Sequence, residues 1–587
     1  MPFTAYLRAE PILKISAFLL ELNQNNRLTT SILQPTTADI IPEAFPEQLG
    51  FASRRSVVVL LVTLFMLTGF FLRTSGLGSE SMGEDELNKL ETVEEYRTNG
   101  LSGKNGEHPF LMKGLQTVSI SAADRLNSST GMNVPVEAAL RFPITLAGTF
   151  SILLIFLLAS ALFGRSIGLV AAGLLALEPM VIGFDRIAKE DSLVVFFFLL
   201  TQFLWVRSQT KAQHGNANWI WYAWGSGVAF AGLMASKYYP HLLGISGAYY
   251  NVFKHVHSSR WNLHGKRWLI FFVIMGVSFL VLNPTIMLPE TWREMMKFSS
   301  ENRIGHDSYE FMGTLYRNQM SAWLSGVPWT FYYVFLAIKT SLPTLLFFLI
   351  GIPLVFRKRM GDGRFLLFFW AFMWFMPFTF LGGKFTRYFA FVTPLLCITA
   401  ATGFCFTVKW MGSYIKGGGG RMALQVGLFA ALLAVPLVNS LSVSPHFRLF
   451  NNTIGGGSQW AGEYFPHDEF YDAATAAVVK PIAENARPGA AIANETPGLF
   501  AYYAKKSGRP DLRSVSLSDP SAMSKIQAGD IVVVARGRRY LSNSSYLEYL
   551  APLIPSAEAD LAGVLAAKVY LLDEASAARL RELAALP

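Results

Sequence analysis

The feature that most constrains the fold is a series of long apolar runs. Val57 to Leu72 is almost unbroken Val, Leu, Phe and Met, and Arg73 ends it. Further runs lie at about 142–163, 167–184, 191–206, 219–236, 238–253, 268–288, 329–356, 364–381, 387–408 and 423–442. A bilayer core of about 30 Å takes about 20 apolar residues per helix, so the pattern predicts about eleven transmembrane helices. Hydrophobic residues make up 52% of the 587 and charged residues only 15%, whereas soluble domains carry about 25% charged residues. That balance excludes an ordinary soluble protein.

Charge distribution sets an expected orientation. With a cytoplasmic N-terminus, the inner loops hold sixteen Lys and Arg, among them Arg54, Arg55, Arg165, Lys266, Arg267, Arg357, Lys358 and Arg421. The short outer turns hold only Arg186, Lys189, Lys237, Lys384 and Arg387. This asymmetry is what the positive-inside rule predicts. It accounts for the net charge of +10 without nucleic acid, which is not expected as a partner. Cys397 and Cys405 share one apolar run and would lie about 12 Å apart along a helix, too far to bridge.

Three segments follow from the pattern. Residues 1–54 carry one apolar patch, Ile12 to Leu20, interrupted by Lys14 and too short to cross; a cytoplasmic extension is expected there. Residues 55–443 hold the spans, with a first outer loop over 73–137. Within that loop, Leu87, Leu90 and Val93, then Phe110, Leu111, Leu115 and Val118, have spacings that suit helices lying in the interface plane. From 444 to 587 the apolar runs shorten to strand length, at Ala490–Ala493, Val515–Leu517, Asp530–Ala535 and Val569–Leu572. Helical stretches alternate with them, which predicts a small outer α/β domain. No Gly-rich phosphate fingerprint follows a strand.

The predicted outer face collects ionisable residues from distant parts of the chain. The first loop brings Asp85, Glu86, Glu107, His108 and Lys113; the second turn brings Asp185, Arg186, Lys189, Glu190 and Asp191. Later loops add Lys237, His306, Lys384 and Arg387. Ionisable groups at span ends usually pair with each other or with a substrate. Singly, each has a plain alternative: Arg186 and Asp191 as an ion pair, Lys237, Lys384 and Arg387 as snorkelling side chains, His306 as a solvated loop residue. Two acid clusters with cations on one face favour a site.

Several of these stretches resemble one family in order along the chain. Gly83-Glu84-Asp85-Glu86 after the first span looks like the Asp-Glu motif of GT-C glycosyltransferases that use a polyprenyl-phosphate sugar, among them protein O-mannosyltransferases and lipid A aminoarabinose transferases. Glu107-His108-Pro109-Phe110-Leu111 is similar to their His-Pro-Pro-Leu stretch, with Phe110 in place of the second proline. Asp185-Arg186-Ile187-Ala188-Lys189-Glu190-Asp191-Ser192 resembles their Ser-Arg-Ile-Ala-x-x-Asp-Ser segment, with Asp185 where serine is common. Gly232 to Tyr238 and Gly382-Gly383-Lys384-Phe385-Thr386-Arg387-Tyr388 are like their Ser-Lys-Tyr and Lys-x-x-Arg-Tyr runs. The resemblance covers roughly 55 to 445 and looks like a bacterial branch, which would place the protein in the inner membrane facing the periplasm. The tail does not resemble the β-trefoil of the eukaryotic enzymes.

The resemblance implies a donor in which a sugar is joined by a phosphodiester to a polyprenol. Transfer to an acceptor hydroxyl needs a base, for which Asp85 is expected, supported by Glu86, with a pKa raised by partial desolvation. Lys237, Lys384, Arg387 and Lys113 are the expected partners of the leaving phosphate. Asp191, Arg186, His108 and His306 are expected to orient the sugar or shape the pocket. One base and direct displacement predict inversion. No cofactor is expected; Asp85, Glu86, His108 and Asp191 could ligate a divalent ion, but a metal is not favoured because they lack compact spacing. A transporter or flippase is the competing class, suited by a break at Asn283-Pro284 but lacking a repeated half. Protein, glycolipid and polysaccharide all remain open as acceptors.

Overall fold

The computed structural model describes residues 49–254, 259–300, 306–319 and 322–586. The expected N-terminal extension falls largely on 1–48, outside the described residues.

Seven helices among the described residues are long and apolar enough to cross a membrane. They are α1 (Arg55–Thr74), α4 (Val136–Phe163), α7 (Asp191–Gln213) and the helical segments Gly265–Leu282, Gly363–Phe380, Thr386–Ser413 and Gly418–Val443. The other predicted spans correspond to shorter or less apolar helices: α5 (Arg165–Leu177), α8 (Trp219–Ser236), Leu243–Lys254 and Leu342–Val355. Thr386–Ser413 is the centre of the bundle, with 94% of its apolar window buried, whereas Gly265–Leu282 is 6% buried and faces outward. Between α1 and α4 run α2 (Glu84–Asn99) and α3 (Phe110–Thr130), the two amphipathic stretches expected of the first loop. Each turns an apolar stripe inward: Leu87, Leu90 and Val93 from α2, Met112 and Ile120 from α3.

Two predicted spans are broken, and one acid joins the breaks. The run expected over 167–184 is α5 followed by a short α6 (Pro179–Phe184), interrupted at Glu178. The run expected over 329–356 divides into Phe331–Lys339 and Leu342–Val355. Glu178 is buried and accepts hydrogen bonds from the Ser341 backbone N–H at 3.2 Å and the Thr344 hydroxyl. It therefore satisfies orphan donors at the start of the second helix. Hydrophobicity cannot register that exchange.

The tail carries a five-stranded sheet. Its strands are β3 (Ala491–Asn494), β4 (Arg513–Ser516), β5 (Ile531–Ala535), β6 (Ala557–Leu561) and β7 (Val564–Leu571), in the order β4-β3-β5-β7-β6. β3 pairs in parallel with β4 and β5, and β7 runs antiparallel to β5 and β6. β6 was not expected, because its sequence, AEADL, alternates small and charged residues, as suits an edge strand. The hairpin β1 (Ser308–Phe311) and β2 (Thr314–Arg317) was also not predicted. It packs on the tail, with the Met312 N–H bonded to the Tyr464 carbonyl at 3.1 Å.

Candidate active site

The start of α2 is organised by a close approach. A side chain on Gly83 would strike the Tyr471 ring, so glycine is required there. Three acids, Glu84, Asp85 and Glu86, occupy the first turn, where the helix dipole favours negative charge. They then diverge. Glu86 is fully buried. It receives Arg141 through two bonds, Nε at 2.9 Å and Nη2 at 2.7 Å, and the backbone N–H groups of Gly83 at 2.8 Å and Ala188 at 2.7 Å. Glu86 was expected to support the base; it is a buried partner of Arg141 and does not line the cavity that Asp85 lines.

Asp85 points the other way. Its side chain is 39% exposed, pairs with the Lys189 ammonium, and accepts the Tyr471 hydroxyl at 3.3 Å. It lines a cavity of about 500 Å³ together with His108, Lys189, Lys237, His306 and Arg387. Desolvation pushes its pKa up, but Lys189, then Arg387 and Lys89, outweigh that and hold it well below the usual carboxylate range. The expected rise is thus reversed by neighbouring cations. Lys189 shares the pair, and burial pulls its ammonium down to about 8.

The remaining cavity wall is layered with charge. Lys237 pairs with Asp191 at 3.0 Å and lies over the Tyr239 and Tyr388 rings at 5.2 and 5.1 Å. Asp191 itself does not line the cavity; its second oxygen is buried without a partner among the described residues. Arg387 stacks over Phe385 at 4.1 Å, and its nearest acid is Asp468 at 3.9 Å, so its donors are only loosely engaged. Lys89 and Glu190 form a buried pair at 3.1 Å, with His108 Nδ1 at 3.4 Å from the same carboxylate. Burial drives the His108 pKa well down.

The tail completes the site. Tyr471 and Asp472 both have left-handed backbones, φ 46° and 61°, a conformation costly for non-glycine residues and held only where surroundings determine it. The turn sends the Tyr471 hydroxyl to Asp85 and the Asp472 carboxylate to Arg538 and to the Glu84 N–H at 3.1 Å. Arg538 donates to His306 Nε2 at 2.8 Å, and His306 stacks on Tyr540 at 4.1 Å. Asp468 accepts the Tyr309 hydroxyl at 2.6 Å and the Thr386 N–H at 2.8 Å. Tyr471, Asp472 and Arg538 were not predicted; a tail without a motif gives no signal for them.

Three other expected residues sit behind the wall. Lys384 directs its amine to the carbonyls of Val327, at 2.9 Å, and Leu381. Lys113 donates to the carbonyls of Asn105 at 2.7 Å and His108 at 2.9 Å, pinning the loop that presents His108. Arg186 does not pair with Asp191; it caps the end of α1 through the carbonyls of Arg73 at 2.9 Å, Ser75 at 2.7 Å and Gly76 at 2.9 Å. In each case, unsatisfied backbone carbonyls claim the cation. Among the described residues no three His, Cys, Asp or Glu side chains gather as a metal site.

Residues 130–288 match the family model described as dolichyl-phosphate-mannose-protein mannosyltransferase. No curated protein matches the sequence. Among solved structures, the chain is similar to the oligosaccharyltransferase AglB from Archaeoglobus fulgidus, in complex with an inhibitory peptide and a dolichol-phosphate. That likeness has 10% identity and a TM-score of 0.51, and covers 81% of this chain and 69% of that one. It is also similar to ArnT from Cupriavidus metallidurans bound to undecaprenyl phosphate, at 14% identity and a TM-score of 0.47 over 86% of this chain and 97% of that one. The chain thus shares the membrane GT-C architecture of AglB, and its residues 130–288 resemble the mannosyltransferase family model.

Proposed function

We propose that the chain moves a sugar from a polyprenyl-phosphate carrier to an acceptor hydroxyl, at the extracytoplasmic end of its helices and with inversion. The observation that carries this reading is the cavity in which Asp85, held ionised by Lys189, shares a wall with Arg387 and Lys237 at the end of an apolar bundle. The dolichol-phosphate held by AglB supports a lipid-phosphate donor, and the Lys and Arg asymmetry supports the orientation.

In this mechanism the acceptor oxygen attacks the anomeric carbon as its proton passes to Asp85. The bond from that carbon to the phosphate oxygen breaks, and the lipid phosphate leaves with an added negative charge. A carboxylate of depressed pKa is a weak base, so its proton transfer comes late, when bonding to the electron-poor carbon has made the hydroxyl acidic. Arg387 offers a planar fork to the phosphate, and Lys237 adds charge from beside it. Cations fixed in advance stabilise the leaving anion without reorganising.

The test compares cells expressing wild-type and Asp85→Asn protein at equal level. Mass spectrometry of their lipid extracts should find a lipid-linked sugar accumulating only with the variant. Equal amounts in both would overturn the assignment of Asp85, and a product with retained anomeric configuration would overturn direct displacement.

A further inference from the structure

A second cavity, of about 380 Å³, adjoins the first and shares Glu84 and His306 with it. Its far wall is the sheet of the tail. β3 leads to β4 on one side, and the chain then crosses to β5 on the other. The loops that follow β3 and β5 therefore diverge and leave a crevice at the carboxyl ends of the parallel strands, the usual place for a ligand in such sheets. Glu495 follows β3, Ser516 ends β4 with Ser518 just beyond, and Ser542 comes from the segment after β5; all four line this cavity. The volume falls within the range of about 300–1,000 Å³ typical of ligand sites.

The polar groups are already arranged. The Ser542 hydroxyl donates to Ser518 at 2.9 Å, and Ser518 donates to Glu495 Oε1 at 2.8 Å, which also accepts Asn543 at 2.7 Å. Glu495 is 8% exposed. Both of these hydrogen bonds fall on Oε1, and the Glu495 carboxyl lines the cavity. Among the described residues the space is lined by three carboxylates, Glu84, Asp307 and Glu495, and by no Lys or Arg, with Arg538 paired to Glu84 at 3.3 Å from outside the lining. Such a lining accepts hydrogen bonds from hydroxyl groups and repels anions.

Resting on the glycosyl-transfer reading above, we infer that this crevice is the acceptor subsite and that it takes a neutral, hydroxyl-rich saccharide. The acceptor would lie on the tail with one hydroxyl extended past Glu84 and His306 toward Asp85. The acidic crevice makes an acceptor bearing phosphate or carboxylate groups there unfavourable.

The test uses the purified full-length protein, with saturation-transfer NMR and titration against a mixture of mannotriose, maltotriose and cellotriose, and separately against trigalacturonic acid. Ser516→Phe fills the crevice, and Glu495→Gln replaces a charged acceptor while keeping its shape. The neutral mixture should bind the wild type and weaken by about tenfold or more in both variants; trigalacturonic acid should bind more weakly than the neutral mixture. Thermal unfolding verifies that Ser516→Phe is folded, and if it is not, Ser518→Ala carries the same expected weakening. Absence of neutral binding, equal binding by wild type and variants, or tighter binding of the acidic trisaccharide would overturn the inference. Undecaprenyl phosphate titrated into the same samples separates the two readings. Its failure to bind the wild type would sink the donor assignment, whereas a failure confined to saccharide would sink only this one.

Discussion

The cavity wall and the clamp behind it begin from adjacent residues. On the wall, Asp85 is partly exposed, and Arg387 stacks on an aromatic face with Asp468 at 3.9 Å and Asp85 across the same cavity. In the clamp, Glu86, Arg141, Arg73 and Asp185 are buried and heavily bonded, with Arg73 Nε at 2.8 Å from Asp185. The difference teaches how charges near hydrocarbon are used. Full satisfaction fixes a span end, and partial satisfaction leaves capacity for a ligand.

Substitutions on the two sides should separate cleanly. Asp85→Asn should lower transfer by about 10²–10⁴-fold, the usual contribution of a general base. Glu86→Ala should instead destabilise the fold by about 3–5 kcal/mol, because it strands a buried arginine; thermal unfolding in detergent reads this. If the two variants exchanged these phenotypes, the distinction would fail. Arg387→Lys should weaken lipid-phosphate binding by about tenfold or more, through loss of a bidentate charged contact. A pH series sharpens the wall further. Lys189 loses its proton as pH rises through about 8, and the cavity loses one of the cations that face a lipid phosphate, so transfer should decline above that value. Lys189→Arg, whose guanidinium stays charged, should hold the rate to higher pH. The smallest effect is expected from Lys384→Met, whose amine serves loop carbonyls; lipid-phosphate affinity should move by less than about 0.5 kcal/mol.

The sequence made the membrane-spanning architecture legible because apolar length is a strong signal. Asp85, His108, Lys237, His306 and Arg387 were expected at the site and line one cavity. Glu86, Lys113, Arg186 and Lys384 look the same in sequence, yet backbone groups or a buried arginine claim them. Which cation meets a carbonyl and which meets open space depends on how helix ends cross, and no periodicity encodes that. Tyr471 and Arg538 were hidden for another reason. Their value lies in a left-handed turn and in a contact with Asp85 across 386 positions of chain.

That contact has an evolutionary corollary. Because Tyr471 touches the candidate base and simultaneously demands a glycine at position 83, the tail and the first loop must change in step. A chain that traded its tail for another would need to rewrite the entrance of α2 as well, so the tail and the first loop form one interdependent unit.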